Sequence, residues 1–392
     1  MILIPLLLVS MGLGPLLMPV YAADHVRVAL AEKATRVTVT SVGGLRLRFA
    51  GTMEGGLDQG VAVSSGVTVV RNGGAMQVDG ERVRGDWVTL RGHSGALTVT
   101  LHDTKSDTHQ WVVKGDVKIS KRDAHLLVVN RVDLEEYVAG VVSAEVNPRW
   151  HEELLKTQAV AARTYVLYKT LVNAHHPFDV HASVRDQVYK GLQHVNDAVR
   201  RAVAATRGEV VTHKGRPIFA VYSSTAAGPT EDAMNVWSQD LPYLKGVECP
   251  FDQDAPRYRW QAAIPFERVE SRFREAGYPI GWLATITPYS MTKAGRVNKV
   301  RILHSKGVLM VTGQELRRVL GFATVWSTRF HIERIGRDVV FAGHGAGHGV
   351  GLCQWGARAM AGLGYRYRSI LHYYYPGTEI LPLSRVIMSL TS

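Results

Sequence analysis

The sequence predicts an α+β protein: a β-rich N-terminal module, then a mixed α/β unit with a groove between lobes. Three observations lead there. Short runs alternating apolar and polar residues fill the stretch from His25 to about Gln110, capped helical patterns begin at Asp133, and a glycine-rich segment from Gly343 leads into an aromatic C-terminal part. With 392 residues, 46% hydrophobic and 20% charged, the chain is neither disordered nor a coiled coil. At roughly 150 residues per domain it has room for two or three cores.

The elements follow in order. Met1 to Ala22 contains no charged side chain and ends in Val20-Tyr21-Ala22, the pattern of an export signal cut after Ala22; an uncleaved anchor is the alternative. No later segment approaches the ~20 apolar residues of a membrane span. The bulk of the chain is therefore expected outside the cytoplasm, periplasmic or associated with the cell envelope. Runs such as Arg36 to Thr40, Leu45 to Phe49 and Ala96 to Leu101 read as strands, separated by turn signals at Asn72-Gly73 and Asp79-Gly80. This module, residues 23–114, offers no clustered chemistry.

The apolar run His125 to Val132 ends at Asp133, a helix N-cap with Glu136 three residues on. That helix stops near Glu145, and Asn147-Pro148 predicts a restart, with Leu155, Ala159, Ala162 and Val166 forming one apolar stripe to about Val172. A third helix is expected from His194 to Arg207, closed by Gly208, then a hairpin pairing Glu209 to Thr212 with Ile218 to Tyr222. The domain reading is 115–250 for the first part of the catalytic unit, 251–342 for an inserted second lobe, and 343–392 for the C-terminal part.

The net charge of +12 favours polyanionic partners, and export narrows these to lipid surfaces or wall polymers, with no nucleic acid. Glu145 is the carboxylate with a chemical setting: Val141, Val142 and Val146 flank it at a helix break. Burial there raises its pKa and suits a general acid, whereas capping of a following helix would lower it. In Gly343 to Ala357, glycine density keeps the chain irregular to about Leu352 and brings His344, His348 and Cys353 close to a ligand. Their spacing fits no standard zinc pattern, so no metal or other cofactor is expected; a zinc hydrolase using these three is the outlying reading. Cys249 and Cys353, the only cysteines, suit either a bridge or free thiols. The hydroxyl-rich stretch Tyr222 to Glu231 suits sugar hydroxyls, and Gln187 and Tyr189 alternate onto one strand face.

Taken together, Val128 to Val142, Ala144-Glu145-Val146, Leu155 to Tyr165, Asp186 to Gly191 and His348 to Ala357 resemble the stage II sporulation protein D family, over about Gly115 to Gly377. The resemblance implies a peptidoglycan lytic transglycosylase acting on glycan strands stripped of stem peptides, with Glu145 as the single acid/base. It also implies groove roles for Arg163, Tyr165, Gln187, Tyr189, Ser224, His348 and Gln354. A second role associated with the family is non-catalytic: binding peptidoglycan and activating or recruiting an N-acetylmuramoyl-L-alanine amidase. Two departures stand out. Val180 to Asp186 has one histidine and no cysteine where some members carry a zinc cluster, and Ser223 and Ala226-Ala227-Gly228 replace a histidine and a double-glycine loop.

Overall fold

The computed structural model describes residues 24–50, 62–63, 66–93, 95–102 and 108–387; the expected export signal lies outside the described residues. The fold is mixed α+β, with eight helices among the described residues and strands in several sheets.

Alternation of apolar and polar residues produces the first layers. His25–Ala34 runs through Thr35 into Arg36–Thr40, and the chain changes sheets there. One sheet has seven strands, ordered Val180–His181, His25–Ala34, His125–Asp133, Asp116–Arg122, Trp87–Gly92, Leu45–Phe49, Ala62–Val63. The other has six, ordered Thr108–Val113, Leu97–His102, Arg36–Thr40, Gly66–Asn72, Ala75–Val78, Glu81–Val83. Val26, Val28, Val88 and Ile119 from the first and Val37, Val39, Val67 and Val99 from the second share one core. The seven-stranded sheet crosses residue 115: Asp116–Arg122 pairs with both Trp87–Gly92 and His125–Asp133, so the N-terminal strands and the strand feeding the first helix are one unit.

Helix α1 (Leu134–Glu145) starts where Asp133 Oδ1 accepts from the backbone N–H groups of Glu135 and Glu136. Eight of its residues, Leu134 and Tyr137 to Ser143, are buried, so it is walled in rather than lying on a surface. Helix α2 (Glu152–Val172) begins later than the Asn147-Pro148 signal predicts. Asn147 closes only a turn, its side chain accepting from Arg149 N–H, while His151 caps the helix through Glu153 N–H. The third helix is also shorter than expected: α3 (Asp197–Ala205) is capped by Asn196.

Glu209–His213 pairs with Arg216–Pro217 and Glu379–Pro382. The expected strand to Tyr222 breaks up because Tyr222-Ser223 leaves the hairpin to pair in parallel with Leu352-Cys353. After α4 (Ala233–Trp237), a second, separate core forms from Trp260 to Phe341 around α5 (Phe266–Glu275) and α6 (Gly313–Leu320), with two three-stranded sheets. The chain then returns to the first core through α7 (Gln354–Gly362) and α8 (Tyr367–Tyr374). No helix of the described residues is long and apolar enough to cross a membrane.

One close approach sets the geometry around α1. A Cβ on Gly140 would fall 2.6 Å from a Tyr189 ring carbon and 2.8 Å from the Gly191 carbonyl oxygen, so glycine alone lets the 187–191 segment lie against the helix. Gly140→Ala is expected to destabilise the protein by ~1–3 kcal/mol through overpacking against backbone. Urea unfolding measures this; an unchanged midpoint would contradict the packing described.

Candidate active site

Glu145 is the last residue of α1, and Val146 leaves the helix in an extended conformation. The C-terminal end of a helix carries partial negative charge, which already disfavours a carboxylate. α2 starts too far along to cap it. The donors come from elsewhere: Val188 N–H donates to Glu145 Oε1 at 2.7 Å, and the side chains of Gln354 and Tyr222 also bond the carboxyl. Burial dominates nonetheless, and the Glu145 pKa rises to about 7 against the pull of those three hydrogen bonds. The residue as a whole is half-buried, and its carboxyl is recessed. Among the described residues, no carboxylate hydrogen-bonds it.

A directed chain of hydrogen bonds stands behind it. Tyr137 O–H donates to Gln187 Oε1 at 3.0 Å, Gln187 Nε2–H donates to Tyr222 Oη at 2.8 Å, and the Tyr222 hydroxyl meets Glu145. Burial pushes the Tyr137 and Tyr222 phenols well above their ordinary pKa, so both stay protonated donors. Gln187 and Tyr189 do face one way as the alternation suggests, with Tyr189 stacked on Tyr137 at 5.2 Å, but their segment is irregular rather than a strand.

The glycine-rich segment supplies the third wall. Gly345, Gly347, Gly349 and Gly351 all take positive φ, between 69° and 107°, alternating with Ala346, His348 and Val350. His348 is fixed by main chain on both sides: Val350 N–H donates to Nδ1 at 3.1 Å, so Nε2–H donates to the Tyr222 carbonyl at 2.9 Å. Its burial, with the nearby Arg317 charge, lowers its pKa to about 3, and the neutral ring holds Tyr222 in place. Gln354, the first residue of α7, donates to Gln158 Oε1 at 3.4 Å as well as bonding Glu145. Directly after it, Trp355 packs edge-on against Trp150 at 5.0 Å, with Arg358 over both rings, beside a cavity of about 360 Å³ that these three line with Arg149 and Phe251.

Of the residues singled out in the sequence, Glu145 and Gln354 converge, with Gln187 and His348 one contact behind through Tyr222. Arg163 and Tyr189 face the framework instead, while Tyr165 lies within range of the Glu145 charge. Arg163 is fully buried, pairs with Glu135 at 2.6 Å and donates to the Glu209 carbonyl at 3.1 Å. Tyr165 donates to Asp186 at 2.9 Å and Tyr189 to Asn130 at 3.0 Å. Ser224 shares a hydrogen bond with Thr225 at 3.3 Å, and its carbonyl accepts from Trp355 N–H. His344 stands apart from His348 and Cys353, near Tyr258. Sequence reasoning missed Tyr222, Gln158 and the Val188 amide; Tyr222 opens the hydroxyl-rich stretch, which is the one signal that pointed to it. In the Val180 to Asp186 segment, His181 bonds Asp186 at 2.7 Å and Glu32 at 3.2 Å.

In the altered loop, the Ser223 hydroxyl is buried without a hydrogen-bond partner. Ala227 sits at φ 55°, a left-handed conformation held by its N–H donating to Asp252 at 2.8 Å and its carbonyl accepting from Arg329.

The site is a single recessed carboxyl on a mixed α+β frame, fed by amide and phenol donors. Comparison with known proteins places the chain as a whole. The family model described as stage II sporulation protein matches residues 122–213, and a domain of unknown function (DUF8618) matches residues 232–351. An uncharacterized protein of Brachyspira hyodysenteriae is 36% identical over 262 residues, covering 67% of this chain and 70% of that one. Stage II sporulation protein D of Bacillus subtilis is 32% identical over 267 residues, 64% of this chain and 75% of the relative. The amidase enhancer of Bacillus subtilis is 28% identical over 289 residues, 62% of this chain and 40% of the relative. The chain belongs to the stage II sporulation protein D family.

Two outcomes follow from the site. The folded pKa of Glu145 lies above its ordinary 4.5, so between there and about 7 the native chain holds a proton the unfolded chain has lost. The stability contributed by this group therefore falls as pH rises through that window, by up to ~1.4 kcal/mol per pH unit. Glu145→Gln does not titrate, so it should match wild type at low pH and exceed it increasingly up to neutrality, read by urea unfolding across the range; a constant difference would contradict the raised pKa. Ala227→Gly should stabilise the fold by ~1 kcal/mol or less, the relief of a left-handed residue minus the added chain entropy. Loss of stability in a thermal melt would show that the alanine is unstrained.

Proposed function

We propose that the chain is an exported peptidoglycan lytic transglycosylase acting on glycan strands that lack stem peptides, and that Glu145 is its single acid/base. The observation that carries this is a carboxyl with a pKa of about 7, recessed at the end of α1, whose hydrogen-bond partners among the described residues are the Val188 amide and the Gln354 and Tyr222 side chains. Near neutral pH such a group is populated in both forms, as a donor and then an acceptor of one proton. Glycosidases that use water need a second carboxylate at a set distance; a reaction in which the sugar supplies its own nucleophile does not.

The steps balance on one proton. Protonated Glu145 gives its hydrogen to the glycosidic oxygen of a MurNAc-GlcNAc bond as the C1–O bond breaks. The resulting carboxylate takes the proton of the muramoyl 6-hydroxyl, whose oxygen closes onto C1 to leave a 1,6-anhydro end. Val188 N–H and the Tyr222 hydroxyl steady the carboxylate between the steps, while Tyr137 and Gln187 keep Tyr222 oriented. Trp150 and Trp355 offer sugar-sized apolar faces, and the arginines beside them suit the exposed carboxylate of a muramic acid without its peptide. The net charge of +12 draws the protein to an anionic wall.

A second reading is favoured by the altered loop at Ser223 and Ala227 and by the relative named amidase enhancer: a wall-binding protein that activates or recruits an amidase without cutting glycan. Mass spectrometry of products from amidase-treated glycan strands separates the two. Anhydro-ended fragments are expected from wild type and none from Glu145→Gln. Strand binding by both proteins, with fragments from neither, would move the assignment to the amidase activator.

A further inference from the structure

Away from the Glu145 carboxyl, two thiols and a carboxylate meet at the start of α7. Cys249, Asp252 and Cys353 each place a sulfur or oxygen atom within 4.8 Å of the other two, and each residue is 1% exposed. Both cysteines are free. Cys353 is the N-cap of α7, and its sulfur accepts N–H groups from Gly356 and Ala226, each at 3.4 Å. Asp252 Oδ2 lies 3.2 Å from that sulfur and accepts from Ala227 N–H at 2.8 Å. The other oxygen, Oδ1, is buried with no hydrogen-bond partner. Tyr374 adds a hydroxyl 3.3 Å from the Cys249 sulfur.

An orphaned carboxylate oxygen in a dry interior is costly, and the Cys353 thiol, which donates to Oδ2, leaves Oδ1 without a partner. A cation supplies one. Zinc bonded to sulfur at ~2.3 Å and to oxygen at ~2.0–2.2 Å sets its ligand atoms ~3.5–3.8 Å apart in a tetrahedron, which small shifts within the observed 4.8 Å envelope reach. Two soft thiolates select zinc over magnesium or calcium. The amides on Cys353 and Asp252 supply the outer hydrogen bonds that orient metal ligands. Charge closes as well: two thiolates and a carboxylate around a divalent ion leave one negative charge, and the fully buried guanidinium of Arg296, two of whose nitrogens have no partner, interacts with Cys353 and Asp252.

We propose that Cys249, Asp252 and Cys353 form a structural zinc site, with the Tyr374 hydroxyl nearest the fourth position, that clamps the 249–252 segment and the Ala226-Ala227 loop to the start of α7. Binding replaces the two thiol protons with metal and releases them to solvent. The clamp bears on the neighbouring site because Cys353 precedes Gln354, which bonds Glu145.

Zinc content and intact mass of the purified full chain test this. One zinc per chain is expected to survive gel filtration after exposure to zinc under reducing conditions, with both thiols shielded from alkylation until a chelator is added. Asp252→Asn should lower zinc affinity by more than ~100-fold, beyond the loss typical of an outer partner, and the double variant Cys249→Ser, Cys353→Ser should retain none. Should those variants fail to fold, cobalt exchanged into wild type decides: a thiolate-to-cobalt charge-transfer band supports the site and its absence overturns it. No retained zinc, or a mass two daltons low from a Cys249–Cys353 disulfide, would also overturn it.

Discussion

The contact between the glycine face of α1 and the 187–191 segment is the constraint from which the site follows. Tyr189 reaches the helix at Gly140 and stacks on Tyr137. That contact brings Val188 N–H to the Glu145 carboxyl and threads Gln187 between Tyr137 and Tyr222. With a side chain at position 140 the segment would stand off. Burial of Glu145 would then lapse together with its amide donor, and the carboxyl would return toward an ordinary acid.

The frame around this contact is expensive in buried polarity, and it is almost fully paired. Arg163, Glu135, the Glu209 carbonyl and the Gly208 amide form one knot between α1, α2 and the strand that follows α3. Thr164 donates to the Val160 carbonyl and accepts from Val211 N–H, tying α2 to the same strand. Such networks fix one arrangement of the core when every member is satisfied. The glycine-rich segment plays a comparable part on the opposite side: His348 fastens Tyr222, and Arg296 and Arg329, from the part of the chain that builds the second core, bond the carbonyls of Ala226 and Ala227.

Much of this was legible in the sequence, and the failures have physical causes. Period-two alternation located the strands, Asp133 located the start of α1, and the valines around Glu145 predicted its desolvation. Asn147-Pro148 misled because a proline-compatible turn needs no helix after it; His151 caps instead. For Arg163, Tyr165 and Tyr189 a motif does not say which way a polar side chain faces, and in the structure each bonds a tertiary partner: Glu135, Asp186 and Asn130. Cys249 and Cys353 lie so far apart in sequence that no spacing rule joins them with Asp252; only the return of the chain through α7 does. Tyr222 was hidden for a similar reason, since its place depends on parallel pairing with Leu352.

The account rests on Glu145 holding its proton to near neutrality because of where it is buried. Isotope-edited infrared difference spectroscopy of the glutamate carboxyl, with the Glu145→Gln chain as the blank, measures that directly. A protonated C=O band that disappears with a midpoint near pH 7 is the predicted result. A midpoint near the ordinary 4.5 would contradict it, and would leave the carboxyl ionised where the proposed chemistry needs an acid.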